Sequence, residues 1–511
     1  MSSESERRAE GGGETPAAGD QARRIGRGGI YLTFTKLYFI ASSYLIYFAL
    51  PAIGGLALLG GYGTVNAYLS LLSTVLITGT VQAVARFVGK EPEAARAVRA
   101  QAFQLQLMLG VAAAMAFFFL APGLEENPDL SRALRVAAAI PLAYALYSVF
   151  MGTLNGQRRF AEQAALDAGF TTAKVLFVIL GAYLLGSVTG AFLGFLSAAV
   201  LVLLAGGLLT NRGLGPKGAG GGPGIVRLFL FQMQTVGFML CVQWTVQVDL
   251  LYLGWFDAFS GNALDDARGV YKATQLFSQI SYSLVISVVF VLFPLVSASN
   301  MKERPEEVRR FVKEALRYAL IMVTGVAAVL SSTPRAAIGL LPNTDKIELI
   351  GAWQTEGLRW LAVGYVFFAL LFIVCSVLNA AGSPRLSILL MVCVAVIQFL
   401  GAWLLIRDHQ LVGLGVAGMV AMGTGCLLGL ALLHRFVGGV VPWATLGRVL
   451  VAGAAVYGVA VLWHPPGKLM TVLRFVLEGG LYLAVILLLR EFKAADKDKF
   501  MSVIGRGGVR S

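Results

Sequence analysis

Four charges sit inside otherwise apolar runs, where charge is costly: Lys36, Asp167, Lys174 and Asp249. At the centre of a bilayer each would cost about 2.5–3.5 kcal/mol or more, so each is expected to face protein or water rather than lipid. Asp167 and Lys174 are seven apart and share a helix face, too far along it to pair directly. Lys36 and Lys174 stand about 9–14 Å from the starts of their runs at 1.5 Å per residue. They either snorkel to the membrane surface or line a cytoplasm-facing cavity. A cationic cavity suits a pyrophosphate group, because Lys offers a point charge to phosphate. Asp249, near the far end of its run, reads either as an ion or proton site or as an interfacial carboxylate.

Uncharged polar residues form rows. Asn66, Ser70, Thr74, Thr78, Gln82 and Arg86 recur every fourth residue in one run. Another run holds Gln275, Gln279, Ser283 and Ser287, with Lys272 about one turn before. Such a row drifts about 40° per step on a 3.6-residue helix, so not every member can face one cavity. Either the rows line a hydrated path, or they serve helix–helix packing, which also favours Ser, Thr and Gln in membranes. Gln232, Gln243 and Gln247 lie roughly on one face of a third run and are expected to point inward.

Other chemistries find no support. Cys241, Cys375, Cys393 and Cys426 all lie in apolar runs without metal-ligand spacing, and His409, His434 and His464 are scattered at run ends. No metal site and no cofactor is expected. Asp265-Asp266 reads as part of a solvated loop. The sequence has no Walker, GxSxG or HExxH pattern, which argues against ATP-driven transport within this chain.

The elements that carry these residues are transmembrane helices. The chain is 57% hydrophobic and only 14% charged, with mean hydropathy +0.75; soluble domains carry about 25% charged residues. A helix needs about 20 apolar residues to cross the hydrocarbon. Fourteen runs approach or exceed that length: 30–50, 64–88, 103–121, 133–154, 165–185, 188–210, 225–256, 270–296, 315–332, 358–378, 386–406, 411–433, 441–463 and 470–489. The net charge of +13 does not indicate nucleic acid. About three-quarters of the Lys and Arg fall in alternate gaps or tails, as the positive-inside rule expects, which puts both termini in the cytoplasm. Residues 1–28 are too polar to fold and form an expected disordered cytoplasmic tail. The run that follows is too long for the core of a cleaved signal and reads as a retained span.

A repeat divides the spans. Pro92-Glu93-Ala94-Ala95-Arg96 is echoed 213 positions on by Pro305-Glu306-Glu307-Val308-Arg309. The same offset pairs Asn66 with Gln279, Ser70 with Ser283 and Thr74 with Ser287. Leu154-Asn155-Gly156 is echoed by Leu378-Asn379-Ala380. The expected organisation is a six-helix lobe at 29–212, a Gly/Pro-rich linker at 213–224, a second six-helix lobe at 225–436, two appended helices at 437–491 and a cytoplasmic tail at 492–511. Parallel repeats of this kind relate by an axis along the membrane normal and place a path at their interface. The fold class is an all-α polytopic membrane protein with its two lobes in pseudo-twofold arrangement.

Three segments carry a family resemblance: Gly61-Tyr62-Gly63-Thr64-Val65-Asn66-Ala67-Tyr68, Leu154-Asn155-Gly156-Gln157-Arg158-Arg159-Phe160 and Leu378-Asn379-Ala380-Ala381-Gly382-Ser383-Pro384-Arg385. With the twelve-plus-two layout, the chain resembles the polysaccharide flippases of the multidrug/oligosaccharidyl-lipid/polysaccharide exporter superfamily. The resemblance implies two six-helix bundles that rock between inward and outward states in the bacterial inner membrane. It implies transfer of undecaprenyl-diphosphate-linked oligosaccharide, with coupling to protons or sodium in some members and a polysaccharide polymerase as a partner. The family's cationic cavity maps loosely onto Lys36, Arg86, Lys174 and Lys272, and the expected cavity also includes Gln243, Gln247, Gln275 and Gln279. Asp249 and Asp167 are the coupling-ion candidates. The basic pattern typical of peptidoglycan-precursor flippases is not clear, which favours an O-antigen or exopolysaccharide unit. The rivals are a cation-coupled multidrug antiporter, which wants acids in its cavity, and a membrane-embedded glycosyltransferase or polymerase. An enzyme generally needs charged outer loops, and the first outer gap, 51–63, carries no charge.

Overall fold

Glycine and proline decide where the first long apolar stretch becomes two spans. The computed structural model describes residues 16–211, 221–256, 259, 261–298, 305–344, 348, 351–463 and 467–492; side chains are described from 38 onward, apart from 40, 234–235, 262, 286–298, 305 and 352. Helix α1, Pro16–Lys90, is 75 residues long, several times what one crossing needs. It breaks at Gly54 and Gly55, where Gly55 takes φ 72° and ψ −169°, a conformation glycine alone adopts readily. Pro51, just before, lacks the N–H that would continue the helical ladder. The second span therefore resumes directly after the break, well before the expected 64, and the expected outer gap is reduced to a kink.

The N-terminal half continues with α2 (Ala95–Leu124), α3 (Pro128–Ala137), α4 (Ala139–Gly156), α5 (Phe160–Leu185) and α6 (Val188–Asn211). The second half comprises α7 (Ile225–Gln247), α8 (Asp249–Trp255), α9 (Asn262–Ala298), α10 (Pro305–Ser332), α11 (Pro334–Ile338), α12 (Gly357–Ala380) and α13 (Pro384–Val437). Last come α14 (Trp443–Leu462) and α15 (Lys468–Leu488). Helix α13 breaks at Gln410, which takes φ 45° and ψ −122°. That strained conformation is held by Gln354, whose side chain donates to Gln410 Oε1 and accepts from the Leu411 amide at 3.0 Å. Ten helical stretches among the described residues are long and apolar enough to cross a membrane. Counting α1 and α13 twice, and adding α7 and α9, gives the fourteen spans expected. No strand occurs among the described residues.

In the first half α1 packs on α4 and α5, α5 on α6, and α2 on α4; in the second, α12 packs on α9, α10 and α13. The halves meet where α1 lies against α7 and α9. The appended α14 and α15 pack on each other and on α10. Two charges are buried there. Arg474 Nε donates to Glu478 Oε1 at 2.7 Å, one turn apart on α15. Arg474 also donates to the Ala460 carbonyl at 2.9 Å, and Ser332 Oγ donates to Glu478 at 3.3 Å. Pairing lets α15 carry both charges inside the membrane. Below it, Glu491 accepts from Thr445 Oγ1 and Arg317 Nε, each at 2.6 Å, and from Arg448. The expected 213–224 linker lies outside the described residues except for 221–224.

Candidate functional site

A cavity of about 400 Å³ lies where the two halves meet. The first half of α1 contributes Tyr44 and Tyr47, and the second contributes Asn66, Ser70, Ser73, Thr74 and Thr78. Helix α5 contributes Lys174, α7 Gln243, and α9 Gln279 and Ser283. Asn66 and Ser70 thus share this wall with Gln279 and Ser283, their partners at the repeat offset; Ser287 lies outside the described side chains.

The polar row on α1 follows helix geometry. Its first four members line the cavity; Gln82 and Arg86 are exposed and do not, as a drift of about 40° per step requires. Arg86 instead stacks over the Phe231 ring, 4.7 Å from its centroid. Asn66 Nδ2 donates to Ser70 Oγ at 3.4 Å, and Thr74 Oγ1 donates to the Ser70 carbonyl at 2.8 Å. Ser73, off the row, has a buried hydroxyl without a partner among the described residues.

Lys174 brings positive charge to this wall. Its Nζ sits 4.3 Å from the centre of the Phe195 ring, which attracts the ammonium without neutralising it. Asp167, two turns away, accepts a hydrogen bond from Tyr147 at 3.1 Å. Lys272 is 2% exposed and stands behind Tyr47, its Nζ 5.5 Å from the ring centre and donating to Gln275 Oε1 at 3.3 Å. A Cβ on Gly63 would stand 2.8 Å from the Lys272 Cδ, so glycine makes room for that side chain. Gln279 Nε2 donates to the Val246 carbonyl at 3.2 Å and Tyr365 Oη at 3.0 Å. Gln247 and Gln275 are not among the residues that form the cavity wall; each has one buried amide atom without a partner among the described residues. The Lys36 side chain lies outside the described residues. No carboxylate is among the described residues that line the cavity.

Asp249 lies apart, at the start of α8. It is 1% exposed and so is not an interfacial carboxylate. Tyr271 Oη donates to it at 3.0 Å, and Gln398 donates to its other oxygen.

Contacts between the halves bracket the cavity along α1. Towards the Gly54–Gly55 break, Arg268 on α9 makes two hydrogen bonds to Glu125, at 2.9 and 3.0 Å, with both side chains buried. Asn127 donates to Asp265 at 2.9 Å. A Cβ on Gly269 would stand 2.1 Å from the Leu56 carbonyl oxygen, so the α1 and α9 backbones all but touch. Asp265 and Asp266 thus belong to the first turns of α9 and this seam, with Asp266 buried, rather than to a solvated loop. Towards the other end Gln232 on α7 donates to the Val75 carbonyl at 3.2 Å and accepts from Gln106 on α2 at 2.9 Å.

A cationic, hydroxyl- and aromatic-lined cavity between two six-helix halves of a multi-pass membrane protein agrees with what comparison finds. The chain belongs to the polysaccharide biosynthesis protein family, whose model matches residues 57–341. No curated protein matches it. Among solved structures it is similar to the lipid II flippase MurJ in an inward closed conformation, with a TM-score of 0.72 at 14% identity, covering 91% of this chain and 99% of that one. It is also similar to an inward-facing multidrug resistance MATE transporter of the MOP superfamily (TM-score 0.64, 17% identity, 79% and 95% covered). A MOP superfamily transporter from Pyrococcus furiosus gives 0.61 at 16% identity, with 82% and 96% covered. The common ground at these identities is the fold.

Proposed function

We propose that this chain is a flippase that carries undecaprenyl-diphosphate-linked oligosaccharide, an O-antigen or exopolysaccharide unit, across the bacterial inner membrane. The lobes 29–212 and 225–436, joined by the linker 213–224, rock against each other, with both termini in the cytoplasm. The observation that carries this reading is the cavity itself: Lys174 on its wall, Lys272 behind Tyr47, and no carboxylate among the described residues that line it. Ammonium groups stabilise the diphosphate. Tyr and Phe faces with Ser, Thr, Asn and Gln groups suit sugar rings and hydroxyls, as sites for polar ligands pair apolar walls with a few placed polar groups. Membership of a polysaccharide biosynthesis family supports the substrate class.

Asp249, buried among Tyr271 and Gln398, is the candidate for a coupling proton or sodium ion. A polysaccharide polymerase acts next on the delivered unit. A drug/cation antiporter would want acids in the cavity, and Asp249 is not among its lining residues. The test is a clean deletion in a strain with no related gene. Lipid-linked sugar stranded in the inner leaflet is the expected result; unchanged surface polysaccharide would count decisively against a flippase.

A further inference from the structure

A second cavity, of about 510 Å³, lies between α2 and α6, away from the central one. Arg96 and Arg99 form its head. They are three apart and so share one helix face, where like charges repel. Arg99 is fixed by neutral partners, donating to Asn211 Oδ1 at 2.8 Å and Thr210 Oγ1 at 3.4 Å. Arg96 Nε is buried and has no partner among the described residues. Neither guanidinium has a carboxylate partner among the described residues. The rest of the cavity is largely apolar, walled by Phe103, Phe150 and Leu107, with Gly207 leaving space against Phe150. Leu107 is 43% exposed, so this side is open to the bilayer.

The dimensions match one lipid leaflet. Arg96 to Leu107 spans eleven residues, about 16 Å at 1.5 Å per residue. Half of the roughly 30 Å hydrocarbon is about 15 Å. The charges stand at the helix end, at the membrane–water boundary, and the apolar wall runs inward from them. We infer that this groove is a binding site for one anionic phospholipid, its phosphate on Arg96 and Arg99 and an acyl chain along Phe103, Phe150 and Leu107. Zwitterionic lipid offers the same chain but no net negative charge for two arginines.

The test uses the purified full chain in detergent and native mass spectrometry, with phosphatidylglycerol or phosphatidylethanolamine of identical acyl chains. Preferential retention of one phosphatidylglycerol per chain is expected. Arg96→Gln/Arg99→Gln is expected to weaken it about tenfold or more. Gly207→Leu, which fills the chain slot and leaves both charges in place, is expected to weaken it too, which keeps the test decisive if the double variant does not fold. Lys174→Ala, in the central cavity, is expected to leave it unchanged, so the two sites are read separately. Equal retention of both lipids by the unaltered protein, or unchanged retention in Gly207→Leu, overturns the proposal. Displacement of the lipid by inorganic phosphate alone overturns it as well, in favour of a free-anion site.

Discussion

Glu125 and Arg268, 143 positions apart in the chain, meet in a doubly hydrogen-bonded, buried ion pair that ties the end of α2 to the start of α9. Removing one partner of such a pair costs about 3–5 kcal/mol, because the other charge is left buried and alone. If the lobes rock as proposed, that cost falls on the closed state of this end. Glu125→Gln is therefore expected to open it. In a cysteine-free background carrying Asn66→Cys, labelling by an impermeant maleimide from the outer side should rise severalfold. Labelling no faster than in the unaltered pair would remove the latch role.

The same seam relies on backbone contact. Gly269→Ala would set a methyl 2.1 Å from the Leu56 carbonyl, and neither side of that contact is a flexible side chain. Overpacking of this kind costs about 1–3 kcal/mol or more. Transport is expected to fall while expression and helix content hold. Gly123→Ala, with nothing within 4 Å, should be neutral; equal transport by both variants would argue against seam closure as a working step.

The appended helices have their own anchor in Glu491. Burial alone pushes its carboxyl up, but hydrogen bonds from Thr445, Arg317 and Arg448, with the Arg317 charge, outweigh it and hold the carboxyl below its ordinary 4.5. A carboxyl held low in the folded state contributes stability that is full above 4.5 and is lost as pH falls through the lowered value. Glu491→Gln should lower thermal stability in detergent at pH 7, by about 1.5–3 kcal/mol. The difference between variant and parent should shrink under acid. A difference constant from pH 7 to pH 3 would contradict this.

Asp249 makes a further prediction. If it holds the coupling ion, Asp249→Asn keeps the Tyr271 and Gln398 neighbourhood nearly isosteric yet removes the charge. Downhill flipping should persist while its dependence on a proton or sodium gradient disappears. A gradient dependence that survives in Asp249→Asn would move the ion elsewhere.

Hydropathy made the fourteen spans legible, because bilayer length is a constraint on every crossing segment. The junctions were less so. The 51–63 gap carries no charge, and only the backbone reveals that Gly54 and Gly55 reduce it to a kink. The break of α13 at Gln410 falls in the expected gap between 406 and 411, marked by Arg407, Asp408 and His409; what the sequence could not show is that Gln354, from a distant segment, holds it. Lone charges such as Lys174 stood out against an apolar run, whereas Arg474 and Glu478, which neutralise each other one turn apart, did not. Nothing local could join Glu125 to Arg268, since that contact exists only once both halves have folded.

The central claim is that the cavity moves a lipid-linked glycan by holding its diphosphate on lysine. Purified protein in vesicles loaded with undecaprenyl-diphosphate-linked oligosaccharide should expose the glycan to an external glycosidase faster than protein-free vesicles. Lys174→Ala and Lys272→Ala should each slow this by about tenfold or more, the scale of one lost charge-assisted contact. Lys36→Ala is expected to follow them. Exposure at the protein-free rate, or full activity in both Lys174→Ala and Lys272→Ala, would contradict it.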